Sequence, residues 1–225
     1  MNVKKLVIVG DSAFAEIAKE YFEHDSDYQV VAFAVEKAYL KRQELHGLPV
    51  EPYEELLTKY NPENHDIYVA IVYSQLNRLR TRLANKAKEM GYKLASYISS
   101  KAFIWGNVQL GEHCFIFEDN TVQPFVKIGN NVVLWSGNHI GHHSVVQDNC
   151  FISSHVVISG FCEIGENSFL GVNATLANNL KIGKDNWIGP NAAIMKSTED
   201  GALYKTTQPE AVKISAPRFF KVDRY

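Results

Sequence analysis

The sequence predicts a small N-terminal α/β domain with a parallel, Rossmann-like sheet, followed by a parallel β-helix. Two observations carry this. Every sixth residue from Ile98 to Ile194 is Ile, Leu or Val, seventeen positions without a break, although only 53 of the 225 residues are of these types. A fixed six-residue period marks a hexapeptide solenoid, in which each hexad forms one side of a prism and stacked coils bury what one coil cannot. Before that register begins, short apolar runs alternate with segments of helical spacing, the pattern of a parallel sheet.

The first half reads in order. Lys4–Gly10 is a buried strand, Ala13–Phe22 a helix, Gln29–Val35 a second strand, Tyr53–Tyr60 a helix and Asp66–Val72 a third strand. Gln75–Met90 places Leu76, Leu79, Leu83, Ala87 and Met90 at helical spacing and stops at Gly91, a suitable C-cap. Leu94–Ser99 passes into the solenoid without a Gly/Pro linker, which predicts rigid packing of the two parts. The predicted division is 1–95 α/β domain, 96–200 β-helix and 201–225 C-terminal tail.

In parallel sheets ligands sit beyond the carboxyl ends of the strands. Those ends are Gly10, Asp11 and Ser12, then Glu36, then Tyr73 and Ser74. Gly10 before a helix supplies N–H groups for an anion, and Glu36 is placed to accept from ribose hydroxyls. The segment GDSAFA has one glycine where a dinucleotide fingerprint needs three, so the domain reads as nucleotide- or nucleotide-sugar-binding rather than oxidoreductive. The alternative is a helix N-terminus capped by Asp11 or Ser12 with no ligand.

Hydrophobic residues make up 46% and charged residues 21%, with a net charge of −2, which points away from disorder and from nucleic-acid binding. MNVKKLVIVG is too short in its apolar run for a signal peptide and nowhere do eighteen apolar residues run together, so a cytoplasmic protein is expected, with no membrane partner. Cys114, Cys150 and Cys162 each stand two residues before a repeat aliphatic, a slot for small residues, and read as reduced structural thiols.

An 18-residue triangular coil puts residue n over residue n+18. Asn131, Asn149 and Asn167 then form a column with Asp185 below, at corners that demand left-handed backbone angles; that column is architecture. Phe125, His143 and Phe161 form another column. The unusual chemistry is GNHIGHHS, with His139, His142 and His143 within five residues and His155 beyond. An imidazole here can take a proton from an attacking amine or hydroxyl, and zinc ligation is the second sharp reading. One coil after His142 stands Gly160, whose backbone N–H is in reach of the same reacting carbonyl. The flat faces offer little concavity, so a site between subunits is expected, and trimers are the natural packing of three-sided prisms.

At these residues the sequence resembles the left-handed β-helix sugar acetyltransferases of bacterial glycan pathways (lipopolysaccharide, O-antigen, capsule), both the nucleotide-amino-sugar N-acetyltransferases and the sialic-acid O-acetyltransferases. NVVLWSGNHIGHHSVVQ aligns without gaps with the segment that carries the family's catalytic histidine and puts His142 on the base. The resemblance implies Gly160 N–H as the donor to the thioester carbonyl, and Phe169, Gly171, Asn173 and Gly189, with Gly160, as cofactor-binding. It implies acetyl-CoA bound between prisms of a homotrimer, no metal, and the sugar nucleotide on the N-terminal domain. The sequence departs from the family in three places. The family's carboxylate beside the base is absent, leaving His143 as the possible orienter; a second family histidine is Phe151 here; and the C-terminal ending differs.

The implied function is acetyl-CoA-dependent N-acetylation of a nucleotide-linked amino-deoxy sugar, with sugar O-acetylation as the near alternative and a non-catalytic binding module as the distant one. A resemblance to a prism-fold carbonic anhydrase would imply two metal ligands five apart with a third 36 residues upstream, and no histidine here has a histidine partner at either offset: the positions 36 before and five after His142 are Gly106 and Gln147, and those 36 and five before His155 are Asp119 and Cys150.

Overall fold

The computed structural model describes residues 4–222; residues 1–3 and 223–225, at the outer ends of the first and third predicted segments and including the start of the run read as too short for a signal peptide, lie outside the described residues. The N-terminal sheet contains β1 (Lys4–Val9), β2 (Tyr28–Val35), β3 (Glu44–Leu45), β4 (Leu48–Pro52) and β5 (His65–Val69) in the order β3-β4-β2-β1-β5. All neighbours are parallel except the β3–β4 hairpin, which the apolar pattern does not announce. The helices α1 (Ala13–His24) and α2 (Arg78–Glu89) pack on its two sides.

Three expectations change in detail. The segment expected to be helical from Tyr53 is a 3-10 helix, Tyr53–Thr58. The strand expected to reach Val72 ends at Val69. The helix expected from Gln75 starts at Arg78, because Gln75, Leu76 and Asn77 all take left-handed angles (φ 53, 46 and 66°).

From Tyr97 the chain winds into two-residue strands that pair n with n+18 in three sheets. The first face starts at Tyr97–Ile98, the second at Phe103–Ile104 and the third at Gln109–Leu110. The coil shortens at the end, where Leu203–Tyr204 pairs with Trp187–Ile188, so the prism extends past residue 200 into the segment expected to be tail. The repeat aliphatics fill the interior. At the corners, every sixth residue from His113 to Asn191 has a positive φ, fourteen in succession, and Phe125, His143, His155 and Phe161 take it as well as Asn, Asp and Gly137.

The three cysteines are free and buried within this prism. Their thiols lie against carbonyls 15 residues on, Cys114 to Gly129, Cys150 to Gly165 and Cys162 to Ala177 at 3.1–3.3 Å, as Ser144 and Ser168 do with hydroxyls. Burial pushes Cys114 up to about 11, Cys150 up to about 12, and Cys162 upward.

The faces differ in what they present outward. Tyr97, Phe115, Val133, Phe151, Phe169 and Trp187 on the first face are covered by Phe14, Tyr21, Phe22, Tyr68 and Tyr73 of the N-terminal domain, giving one continuous aromatic core across the junction. Outward-pointing aromatics are therefore not solvent-facing here. The third face carries Gln109, Lys127, Val145, Glu163 and Lys181; the second carries only uncharged or imidazole side chains, Phe103, Thr121, His139, Val157, Thr175 and Ala193.

Candidate active site

His142 lies on the edge between the second and third faces, in the turn Gly141–Ser144 after the strand His139–Ile140. Gly141 is required there, since a side chain would meet the Ser159–Gly160 backbone at 2.5 Å. The His142 backbone N–H donates to Gln123 Oε1 at 2.9 Å, and its ring is exposed. That ring covers Gly160: a Cβ at 160 would stand 2.7 Å from Cε1 and 2.9 Å from Nε2. The imidazole and the glycine of the next rung are thus in contact, as the 18-residue register requires.

The Gly160 N–H is not free. It donates to Asn178 Oδ1 at 3.0 Å, in the same way that the Glu112 and Asn130 N–H groups donate to Asn130 and Asp148 one rung on. The N–H expected to serve as oxyanion donor is thus held by a neutral side-chain acceptor.

His143 stacks between Phe125 (4.6 Å, 28°) and Phe161 (4.8 Å, 17°), and its Nδ1 is 3.2 Å from His142 Nδ1. His155 sits on a different edge, between the first and second faces, where its ring covers Gly137. His139 points out of the second face between Thr121 and Val157. Among the described residues, no group of three or more His, Cys, Asp and Glu could hold a metal ion.

Of the residues expected on the cofactor, Gly160 meets His142 within one chain and the other four do not. Phe169 is buried on the first face under Tyr73, with ring centroids 4.4 Å apart, so it is part of the domain junction rather than of a channel. Gly171, Asn173 and Gly189 lie on the edge that carries His155, with Asn173 exposed. The second face separates them from His142.

In the N-terminal domain a cleft of about 390 Å³ gathers Gly10, Asp11, Ser12, Glu36, Tyr39, Gln75 and Arg82. Tyr73 and Ser74 are not in it; Tyr73 turns to Phe151 and Phe169. Two further roles change. Gly10 gives its N–H to Ala34 O at 2.7 Å, and its φ of 126° with Ala70 O 2.8 Å from a would-be Cβ makes it a packing glycine. Glu36 is gripped by Arg82 through two bonds of 2.8 Å, which hold its carboxyl below the usual range. Neither Asp11 nor Ser12 caps α1: Ser12 at the N-cap makes no side-chain cap bond, and Asp11 lies 3.4 Å from Arg42 Nε.

Sequence reasoning missed a buried network on the third edge, the one between the third and first faces. Arg80 of α2 is fully buried with no carboxylate; its Nε donates to Asn131 Oδ1 and its Nη2 to Asn131 O, both at 2.9 Å. His113 Nε2 accepts from Val69 N–H at 2.9 Å, so its proton is on Nδ1, donating to Asn131 Oδ1 at 2.9 Å. Burial, then Arg80, pulls His113 down to about 3, and burial pulls Arg80 down to about 10. The only advance signal was Asn131 in its column.

Residues 143–178 match the family model described as bacterial transferase hexapeptide (six repeats). No curated protein matches the chain. Among solved structures it is similar to the acetyltransferase domain of PglB from Neisseria gonorrhoeae FA1090, with 22% identity over 89% of this chain and 95% of that one and a TM-score of 0.79. It is similar to a mutant of perosamine N-acetyltransferase from Caulobacter crescentus in complex with CoA and GDP-perosamine, with 23% identity, 89% and 93% coverage and a TM-score of 0.81. WeeI from Acinetobacter baumannii AYE matches with 20% identity, 89% and 95% coverage and a TM-score of 0.69. The chain has the fold these structures share, an α/β domain ahead of a left-handed parallel β-helix.

Proposed function

We propose that the chain is an acetyl-CoA-dependent N-acetyltransferase for the amino group of a nucleotide-linked amino-deoxy sugar, serving bacterial glycan synthesis in the cytoplasm. The observation that carries this is the exposed His142 imidazole lying on Gly160. His142 Nε2 takes the proton of the attacking amine, the new C–N bond forms as the carbonyl π pair moves onto oxygen, and the tetrahedral oxyanion then collapses, breaking the C–S bond so that CoA leaves as the thiolate. Gly160 N–H stabilises the oxyanion after exchanging Asn178 Oδ1 for it. The neighbours crystallised with CoA and with GDP-perosamine support this substrate pair.

The reading includes a homotrimer with sites between subunits. In its support, the N-terminal cleft belongs to a domain seated on the first face, whereas His142 is on the opposite edge, so a sugar held by one copy meets the base of another. The uncharged second face is the surface a neighbouring prism would cover, bringing Gly171, Asn173 and Gly189 of one copy toward His142 of the next. The three free, buried cysteines accord with a reducing compartment, and among the described residues no helix is long and apolar enough to cross a membrane.

The test is acetyl-CoA with a panel of UDP-, dTDP- and GDP-linked amino sugars, followed by thiol release. His142→Ala is expected to lose turnover by a factor on the order of 10²–10⁴ while keeping acetyl-CoA binding in a thermal-shift assay. Unchanged turnover refutes the base, and no acetyl-CoA affinity in the wild type refutes the transferase.

A further inference from the structure

We infer that His143 is a positioning residue that sets the tautomer of the base, so that a proton on His143 switches His142 off without touching substrate. The inference rests on the reading of His142 as the base. Its ground is the 3.2 Å contact between the two Nδ1 atoms. Such a contact holds one proton between two nitrogens. For His142 Nε2 to accept from an amine, the single proton of its neutral ring must be on Nδ1, and the acceptor in contact with that N–H is His143 Nδ1. His143 then carries its own proton on Nε2. The pair is active in one arrangement only, His142 Nδ1–H donating to His143 Nδ1.

When His143 gains a second proton, its Nδ1 becomes a donor. Two donors cannot face each other at that distance, so His142 moves its proton to Nε2 and the basic lone pair is lost. An ionised carboxylate in this place would remain an acceptor. Here the acceptor is itself titratable, which makes the switch a property of this chain.

The ring of His143 is fixed for this role. Phe125 and Phe161 clamp it from the rungs on either side, and Phe161 also meets His142 edge-on at 5.0 Å and 88°. Phe125, Phe161 and the neutral Gln123 face the pair from these rungs, and the neutral Asn178 holds the Gly160 N–H against the His142 ring. The histidine ion pairs among the described residues, His24 with Glu20 and His46 with Glu16, are in the N-terminal domain. His142 is therefore the titratable partner of His143.

The experiment is the acid limb of kcat/KM for the wild type, His143→Asp and His143→Asn. Asp and Asn tolerate the left-handed backbone at this position, where φ is 59°, and both keep an acceptor that does not follow the imidazole titration. Below both macroscopic titrations of the pair, the limiting slope of log kcat/KM against pH is expected to be steeper by one proton in the wild type than in either variant, whereas the first proton taken up gives the same slope in all three. Protonation of the substrate amine is common to all three and drops out of the comparison. His143→Phe, which keeps the stack and removes the acceptor, should lower kcat at least tenfold on the order expected for a lost positioning bond, with KM for acetyl-CoA unchanged. Ring-nitrogen NMR supplies a readout independent of turnover: His142 should carry its proton on Nδ1 at pH values where the enzyme is active. Equal limiting slopes in all three proteins, or His142 protonated on Nε2 in active enzyme, overturn the inference. If His142→Ala turns over like wild type, the base assignment has failed and the switch with it. If His142→Ala is inactive and the limiting slopes are equal, only the switch has failed.

Discussion

The third edge of the prism and the second, the one between the second and third faces that carries His142, use the same backbone in opposite ways. On the third edge the left-handed corners are His113, Asn131, Asn149, Asn167 and Asp185, chiefly residues whose short polar side chains suit that angle, and α2 covers them. Arg80, His113 and Asn131 satisfy one another there, out of water, and Asn131 Nδ2 donates to the half-buried Asn149. On the second edge the corners are Phe125, His143, Phe161 and Asn179. Bulky side chains in the left-handed region cost roughly 1–2 kcal/mol each, and the two phenylalanines remain more than half exposed (56 and 54%). The fold needs no aromatic at those places. The contrast teaches where the chain is built for stability and where it retains strain beside the exposed His142 ring.

Substitutions on the two edges should therefore separate. Arg80→Leu would orphan Asn131 O in the junction and leave Asn131 Oδ1 with His113 as its one donor, and is expected to lower stability by about 3 kcal/mol and the midpoint by roughly 6–12 °C, with turnover below the transition largely kept. An unchanged midpoint in a thermal scan breaks the comparison. Gly160→Ala should do the reverse: its Cβ would press the exposed His142 ring at 2.7 Å, lowering kcat/KM about 10–100-fold, or about 1.4–2.7 kcal/mol, with the midpoint nearly unmoved. Thiol release and a thermal scan on one preparation read both.

Acid distinguishes the edges a third way. His113 titrates at about 3 in the folded chain against 6.5 for the free side chain. The unfolded chain thus binds the proton first, and the contribution of His113 is complete above about 6.5 and lost progressively as pH falls toward 3. Stability should decline by up to about 1.4 kcal/mol per pH unit in that window, and denaturant midpoints for His113→Gln should show a shallower decline. The smallest effect is Phe161→Asn, which trades an exposed stack for an angle-tolerant residue. Stability should change by less than about 1 kcal/mol, while kcat falls as His143 loses half of its clamp; a large destabilisation would mean this edge too is structural.

The prism was legible because its rule is periodic. Once Ile98 to Ile194 keep step, the pairing of His142 with Gly160 and the stack of Phe125, His143 and Phe161 follow by adding 18. What escaped depends on contacts with no period. Arg80 reads as a solvated helix cation until it is known that the third edge is covered. Glu36 reads as free until Arg82, 46 residues away, is seen to hold it. Phe169 follows the solenoid register like any outward residue, and only the seating of Tyr73 shows it buried. The acceptor on Gly160 N–H was open to the same arithmetic, since Asn178 is one coil on, but required knowing which corner amides lack a backbone partner.

The sulfur atoms inside the prism have a practical bearing on all of these measurements. Thiolate is the species that attacks disulfide reagents, and Cys114, Cys150 and Cys162 are withheld from that form by their surroundings. A chromogenic disulfide should therefore count only released coenzyme while the chain is folded, and gain three further equivalents per chain on denaturation. One colour reaction can then report chemistry at the exposed edge and collapse of the covered one from the same cuvette.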